Sequence, residues 1–440
     1  MIKKRKFPKI FFGWWTVIAG GVLSLWLAGY QTYGISALFK PIASELGFSR
    51  TAASVPGGMA RLEGGFEGPI AGWATDKYGP RTVILLGVLL SGLSLILMYY
   101  INSLWAFYLV WGVLLGTAHN LTTAIPVDTA ITNWFVKKRG TALGIKMVFS
   151  GFSGVLVLPL IAFLINQEGW RMTCVIGGVV ALVVFLPVVW FCFKPHRPEY
   201  YGLLPDGATV KEEITDTDQT IEQGVKYATE VEEVEFTLRQ AMKTRVYWLL
   251  MLGNAVHGLV FSAVNVHLIP YLTDVGIDPI KAAGMMAIMV FASLPTRFIA
   301  GFFCDRVSKN QIRFVVAGGY FLQTLGFAIF VLINPQTMFT IYAWLILYGI
   351  GHGAGFIFSA LVGRYYGRKA FGSIQGTRMM FMAVPGMIAP IYAGWIYDTT
   401  GSYITSFVTF AITLAVSTIL IAISKPPKPP AEVTDIRKIV

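Results

Sequence analysis

A basic residue recurs at a spacing of 232 positions inside apolar sequence. Lys146 lies in a run with Gly140, Gly144, Met147, Phe149 and Gly154. Arg378 lies in the matching run with Gly372, Gly376, Met379, Phe381 and Gly386. A third cation, Arg297, interrupts another apolar stretch. A charged side chain in the hydrocarbon core of a bilayer costs about 3 kcal/mol or more unless it faces a partner or a wet cavity. Cations related by an internal repeat face each other across the seam between the copies, where repeat-built carriers bind substrate. The chemistry these residues suit is recognition of an anion, and the rigid donor fork of Arg297 matches a carboxylate.

Three acidic residues share the apolar context: Glu63 and Glu67, spaced i, i+4 on one helix face, and Asp128. Counted at 1.5 Å per residue from the nearest loop charge, Lys146 lies roughly 10 Å deep, Arg297 roughly 12 Å, and Arg378, Glu67 and Asp128 roughly 13 Å. Five ionisable groups on five helices thus converge on one layer. Two roles are open for the carboxylates: carrying a coupling proton, since burial favours the neutral acid, or pairing structurally with the cations. Tyr30, Gln31, Tyr33, Asn254 and His257 are candidates for the polar cavity wall, His257 equally for a hydrogen-bonded structural role. Arg61 lies on a glycine stripe nearer the outside, where gating or structural pairing suits it better than substrate contact. His119 and His352 count out at about 25 Å and are placed outside the site.

These residues need a membrane-spanning frame, and composition supplies it. Apolar residues make up 55% of the 440, charged residues 13%, and the mean hydropathy is +0.63, figures foreign to a soluble enzyme. No Asp, Glu, Lys or Arg occurs from Ile10 to Phe39, Thr82 to Val127 or Phe314 to Gly363. With roughly 20 apolar residues needed per span, the pattern predicts twelve helices near 14–39, 51–75, 82–101, 105–132, 141–165, 172–193, 246–272, 281–303, 312–333, 337–363, 372–396 and 402–424. The formal net charge of +12 is segregated: 27 of 35 Lys and Arg fall on alternate connections forming one side. That positive-inside asymmetry puts both termini in the cytoplasm and argues against a nucleic-acid partner. The first apolar run is long enough to span, so no cleavable signal peptide is expected.

The expected division is a six-helix bundle at 1–193, a cytoplasmic linker at 194–245 with a surface helix near Val231–Met242, a second bundle at 246–424, and an extended tail at 425–440. The halves repeat elsewhere too. Gly72, Asp76, Lys77, Gly79 and Arg81 follow span 2 as Gly301, Asp305 and Arg306 follow span 8, and Gly116-Thr-Ala-His119 matches Gly349-Ile-Gly-His352. Cys174, Cys192 and Cys304 have no metal or redox spacing. Neither a phosphate loop nor a nucleophile triad occurs, so no enzyme activity, metal or cofactor is expected.

The loop Gly72-x-x-x-Asp76-Lys77-x-Gly79-x-Arg81 resembles the signature of the major facilitator superfamily, with a decayed copy at Gly301–Arg306. Gly13-Trp14, Tyr33-Gly34, Ser49-Arg50, Asn133-Trp134-Phe135, Lys138-Arg139-Gly140 through Gly144, and Arg297-x-x-x-Gly301-x-x-x-Asp305-Arg306 are similar to the monocarboxylate-transporter and oxalate–formate-antiporter branch. The resemblance implies an all-α membrane protein of two six-helix bundles. It implies that Arg297 binds the substrate carboxylate, against the alternative of an ion pair with Glu67 or Asp128. Arg378 lies about one turn from the branch's second substrate cation, and its alternative is a contact with the loop at Asp76. Lys146 departs from the branch, and marks a larger or more charged substrate or else a structural pair. The loops at Asp76–Arg81 and Asp305–Arg306 are expected to hold the cytoplasmic ends together.

The reading is a monomeric, multi-pass carrier of the inner or plasma membrane. It moves a small organic anion, a mono- or dicarboxylate, by alternating access, through proton symport or anion exchange. The alternatives are a proton-driven exporter of hydrophobic compounds and a carrier of inorganic anions on the same fold.

Overall fold

The structure is a computed structural model of the chain. It describes residues 10–47, 50–208, 227, 233–333 and 337–430, and the side chains of all of these except 33, 36, 39, 40, 50–62, 279 and 280. Among the described residues there is no strand.

Among the described residues, ten helical stretches are long and apolar enough to cross a membrane. One of them, Arg139–Cys192, contains two spans, because Gly169 at φ 77° turns the chain where only glycine is unstrained. The helix Arg50–Tyr78 is a further one. It is absent from the apolar set because glycines and the charges at 61, 63, 67, 76 and 77 dilute its hydropathy. Among the described residues twelve spanning helices result, as the sequence predicts. Span boundaries follow local chemistry. Gly79 at φ 81° precedes Pro80 at the start of Pro80–Leu97, and the Thr244 hydroxyl accepts from Tyr247 N at the start of Arg245–Asp274.

Two spans are interrupted at repeat-related places. The fourth breaks between Leu115–Thr122 and Ile125–Trp134, where Pro126 removes a backbone donor and crowds the preceding turn. The Thr123 N–H and hydroxyl both turn back to the His119 carbonyl. The tenth breaks between Met338–Gly355 and Phe358–Tyr366, after the glycine run 349, 351, 353 and 355, residues that weaken helical continuity.

Three buried apolar clusters show how the halves meet. One is continuous across both, joining Val17, Trp134 and Phe193 to Tyr247, Tyr366 and Phe371. The other two stay within single halves, around Tyr30, Trp111 and Trp170 in the first and around Tyr271, Trp344 and Phe407 in the second. The continuous cluster lies on the linker side, which the positive-inside pattern makes cytoplasmic. The halves are therefore fused toward the cytoplasm.

The linker differs in detail from expectation. The described helix nearest the expected one is Leu238–Met242, started by a capping box between Thr237 and Gln240; residues 233–237 before it have no regular structure, and Phe236 N donates to the Tyr366 carbonyl of the second half. Positions 231 and 232 lie outside the described residues. The tail is without regular structure from Lys425 to Pro430.

Candidate substrate site between the two halves

A cavity of about 430 Å³ lies between the halves. Lys146, Met147 and Ser150 line it from the fifth span, Ser293 and Arg297 from the eighth, His119 from the fourth and His352 from the tenth. A second space of about 390 Å³ shares His119, Thr123, Ala124, Phe261 and Met379 with it, so the two form one compartment. No Asp or Glu lines either part among the described residues.

Arg297 is 5% exposed. Its Nη1 donates to the Met147 carbonyl at 2.9 Å, its Nη2 to Ser293 Oγ at 3.2 Å, and its guanidinium carbon lies 4.2 Å from the Phe356 ring centre. The Met147 bond crosses from the eighth span to the fifth, so the cation sits at the seam of the repeat. Close packing allows this: a Cβ on Gly144 would meet the Arg297 carbonyl at 2.7 Å.

Lys146 is ion-paired. Its Nζ lies 3.1 Å from Asp128 Oδ1, both side chains almost fully buried. Asp128 Oδ2 accepts from Ser359 Oγ at 3.2 Å, and Gln375 Nε2 donates to the same hydroxyl at 2.5 Å. One chain of contacts thus links the fifth, fourth, tenth and eleventh spans. Asp128 pairs with Lys146 in place of Arg297, while Arg378 is an electrostatic neighbour of Asp128 and Tyr320. Arg378 also lies 5.6 Å from the Phe358 ring centre, and it is not among the residues lining the cavity.

The remaining sequence candidates divide. Asn254 Nδ2 donates to the Tyr320 hydroxyl at 2.9 Å, and His257 stacks on the same ring at 4.4 Å, behind the cavity wall. Tyr30 is a correction: its hydroxyl donates to the Thr173 carbonyl at 3.1 Å inside the first bundle, because the π-helical turn Gly29–Tyr33 rotates it away from the seam. Gln31 likewise donates to the Leu115 carbonyl, and the Tyr33 side chain lies outside the described residues. Glu63 and Glu67 face the fourth span: Thr117 Oγ1 donates to Glu67 at 2.5 Å and lies 3.3 Å from Glu63, and Asn120 Nδ2 donates to Glu67 at 2.9 Å. They therefore do not enter the layer shared by Lys146 and Asp128. The Arg61 side chain is outside the described residues.

His119 and His352, which the depth count excluded, are brought in. The cavity extends above the cation layer, so a distance from loop charges does not bound it. Sequence reasoning also missed Thr32, Ser150, Ser293 and Phe356. The repeated Gly-x-x-His was the available signal.

The Major Facilitator Superfamily profile matches residues 21–359. The chain belongs to this superfamily. As its member it is a multi-pass membrane transporter and not an enzyme. It is similar to monocarboxylate transporter 2 of Mesocricetus auratus, 25% identical over 403 residues covering 89% of this chain and 80% of the relative. Against monocarboxylate transporter 12 of Rattus norvegicus it is 26% identical over 428 residues, covering 94% and 86%. The human organic anion transporter MFSD10 (TETRAN) superposes with a TM-score of 0.69 at 14% identity, covering 94% of this chain and 100% of that one, a likeness of fold.

The superfamily loops of this transporter close the cytoplasmic side in a repeat-related way. Asp76 accepts from the backbone N–H groups of Gly372 and Ser373 at 2.9 and 2.7 Å and from Ser373 Oγ at 2.6 Å. Asp305 accepts from Gly140 N and Thr141 N, both at 2.7 Å. Each carboxylate thus caps the N-terminus of a helix in the opposite half, where unpaired donors and the helix dipole favour an anion. Glycine is required there: a Cβ on Gly372 would meet Asp76 Oδ1 at 2.7 Å, and one on Gly140 would meet the Gly301 carbonyl at 2.4 Å. Among the described residues, the basic residues of the loops make no contact between the halves. Lys77 lies over Trp73, Arg81 over Trp190 and Arg306 over Phe302, each within its own half. The expectation that whole loops clamp the halves is corrected to the two aspartates.

The linker adds a strap. Glu233 bonds Arg139 of the first half at 2.9 Å and lies 3.2 Å from Arg368 of the second. Arg368 also bonds Glu199 at 2.9 Å and the Asn133 carbonyl at 3.0 Å. Glu235 pairs with Arg197 at 2.9 Å, and Phe236 N donates to the Tyr366 carbonyl at 3.0 Å. Burial works against the charge on Glu233, yet Arg368, Arg139 and Arg197 hold its carboxyl below the usual glutamate range. Burial also opposes the charge on Arg368, and Glu199, Glu233 and Glu235 outweigh it and raise the guanidinium further.

Proposed function

We propose that this transporter carries small organic anions, mono- or dicarboxylates, across the cell membrane by rocking its 1–193 half against its 246–424 half. The observation that carries the reading is Arg297 at the wall of an inter-half cavity lined by Lys146 and, among the described residues, by no acid. A carboxylate docked on the Arg297 guanidinium gains paired donors in a low-dielectric space. Lys146, ion-paired with Asp128, offers the cavity its remaining ammonium donors and little net charge. Arg378 acts through Asp128 and Tyr320 and not by direct contact. The compartment is large enough to admit such an anion. The similarity to monocarboxylate transporters supports the same class.

The cytoplasm-closed arrangement is one end of the cycle. Substrate loading is followed by release of Asp76 and Asp305 from their helix termini and of the Glu233 strap. The driving gradient is that of protons, for which Glu63 and Glu67 are the candidate carriers, or of a second anion. An exporter of lipophilic cations would want carboxylates facing the cavity, and the lining speaks against it.

The test is uptake by proteoliposomes of labelled lactate, oxalate, succinate, nitrate and a lipophilic cation, with an imposed pH gradient in one arm and preloaded anion in the other. Carboxylate uptake lost in Arg297→Ala is the expected result. Uptake of nitrate alone, or of lipophilic cations alone, would overturn the carboxylate reading.

A further inference from the structure

A separate cavity of about 270 Å³ lies where the cytoplasmic ends of the two halves meet, and it shares no lining residue with the substrate compartment. Asp76, Lys77, His196 and Arg197 line it from the first half and the start of the linker, Arg368 and Lys369 from the second half. Lys77 and His196 are exposed, whereas Arg197 and Arg368 are buried. The cavity therefore has a buried floor and a mouth open on the cytoplasmic side.

The charges around it leave two lysines over. Glu235 pairs with Arg197, Glu199 with Arg368 and Glu233 with Arg139, each at 2.9 Å, so three glutamates match three arginines. Asp76, the acid on the wall, spends both oxygens on the donors of Gly372 and Ser373. Among the described residues, Lys77 and Lys369 have no acidic partner. They belong to opposite halves. The Lys77 ammonium lies 4.7 Å from the Trp73 ring centre, a contact that steadies the side chain without cancelling its charge.

We propose that this cavity binds a phosphate group from the cytoplasmic side, with Lys77 and Lys369 as its paired cations. A phosphate carries roughly two negative charges near pH 7 and three acceptor oxygens. It can thus engage one cation from each half, which a singly charged carboxylate does less well. Since the cations come from both halves, the bound group holds the cytoplasmic ends together and must leave before they part. At ten times its dissociation constant, a ligand that binds only this arrangement favours it about elevenfold. The cavity is a regulatory site that slows the cycle when cytoplasmic phosphate is abundant. The inference rests on the halves rocking and is independent of what Arg297 binds.

The experiment measures calorimetric binding of inorganic phosphate to the full-length transporter in phosphatidylcholine nanodiscs, with spin-label distances between the cytoplasmic ends. Potassium chloride of equal ionic strength controls for screening. Phosphate is expected to bind and to raise the fraction with closed ends. Lys77→Gln and Lys369→Gln should each weaken binding about tenfold or more, while Arg297→Ala binds phosphate as wild type does. Melting temperatures identify a variant that fails to fold, and the other lysine then carries the test. In a second arm the nanodiscs contain phosphatidic acid and no phosphate is added. Closure in that arm alone, lost in the lysine variants, makes a lipid headgroup the source of the phosphate. Absence of binding and closure in both arms overturns the site, as does phosphate binding that survives both lysine substitutions or vanishes in Arg297→Ala. Binding with unchanged distances overturns the regulatory role. Ends that keep one distance with every anion, transported ones included, count against the rocking of the halves itself.

Discussion

Lys146 Nζ lies 3.1 Å from Asp128 Oδ1 within one half of the molecule, while Asp128 Oδ2 takes a hydrogen bond from Ser359 of the other. If the halves rock apart as proposed, the ion pair, which lies within one half, stays whole and the serine contact between halves breaks.

Removing one partner of this pair leaves the other charge buried and unmatched, which costs about 3–5 kcal/mol. Asp128→Asn and Lys146→Met are each expected to lower the melting temperature markedly. Replacing both together should recover much of the loss. A double-mutant cycle by thermal unfolding in detergent checks this, and additive losses would mean the pair carries no coupling. Lys146→Met, where it folds, should alter the preference between mono- and dicarboxylates more than the maximal rate, read in competition uptake.

Arg297 contacts a carbonyl, a hydroxyl and a ring at the cavity wall. Arg297→Ala should abolish carboxylate binding with the melting temperature close to wild type. Arg297→Lys should bind weakly, because an ammonium has no paired donor fork. A ligand-induced thermal shift separates the two, and an Arg297→Ala protein still stabilised by carboxylate would remove the residue from the site.

Asp76 and Asp305 cap helices of the opposite half, and the cap is charge-assisted. Asp76→Asn and Asp305→Asn keep the shape and lose the charge, and should shift the transporter away from the cytoplasm-closed state. Gly372→Ala should act in the same direction, through the contact between its new Cβ and Asp76 Oδ1. Labelling of single cysteines on the cytoplasmic helix ends is the readout. Unchanged accessibility would show that the apolar cluster alone keeps this side closed.

The strap has a pH signature with a definite sign. Glu233 titrates below its ordinary value of 4.5 when docked, so its contribution is fully present above that value. It is lost as pH falls through the lowered one. Distances between the cytoplasmic ends, measured by spin labels, should stay short at neutral pH and lengthen in acid below about 4.5. In Glu233→Gln the acid dependence should diminish.

Much of this was legible in the sequence because a bilayer imposes simple rules on composition. Apolar runs, segregated cations and the repeat at 232 positions determine twelve spans, their orientation and the presence of charges where lipid forbids them, and they single out Arg297. Local helix geometry and the choice among partners were beyond it. Tyr30 reads as cavity wall until one π-helical turn directs it to Thr173. Glu67 shares a counted depth with Asp128 yet bonds Thr117 and Asn120, which lie eleven and eight residues from Asp128 on the same span, so a count from loop charges misplaces it. His119 and His352 fall outside a layer counted from loop charges, and only the three-dimensional cavity, reaching above that layer, includes them. Sequence patterns along one axis fix which residues lie in the membrane. Which of them meet depends on helix rotation, interruption and the approach of two halves, and these are settled by packing between residues far apart in the chain.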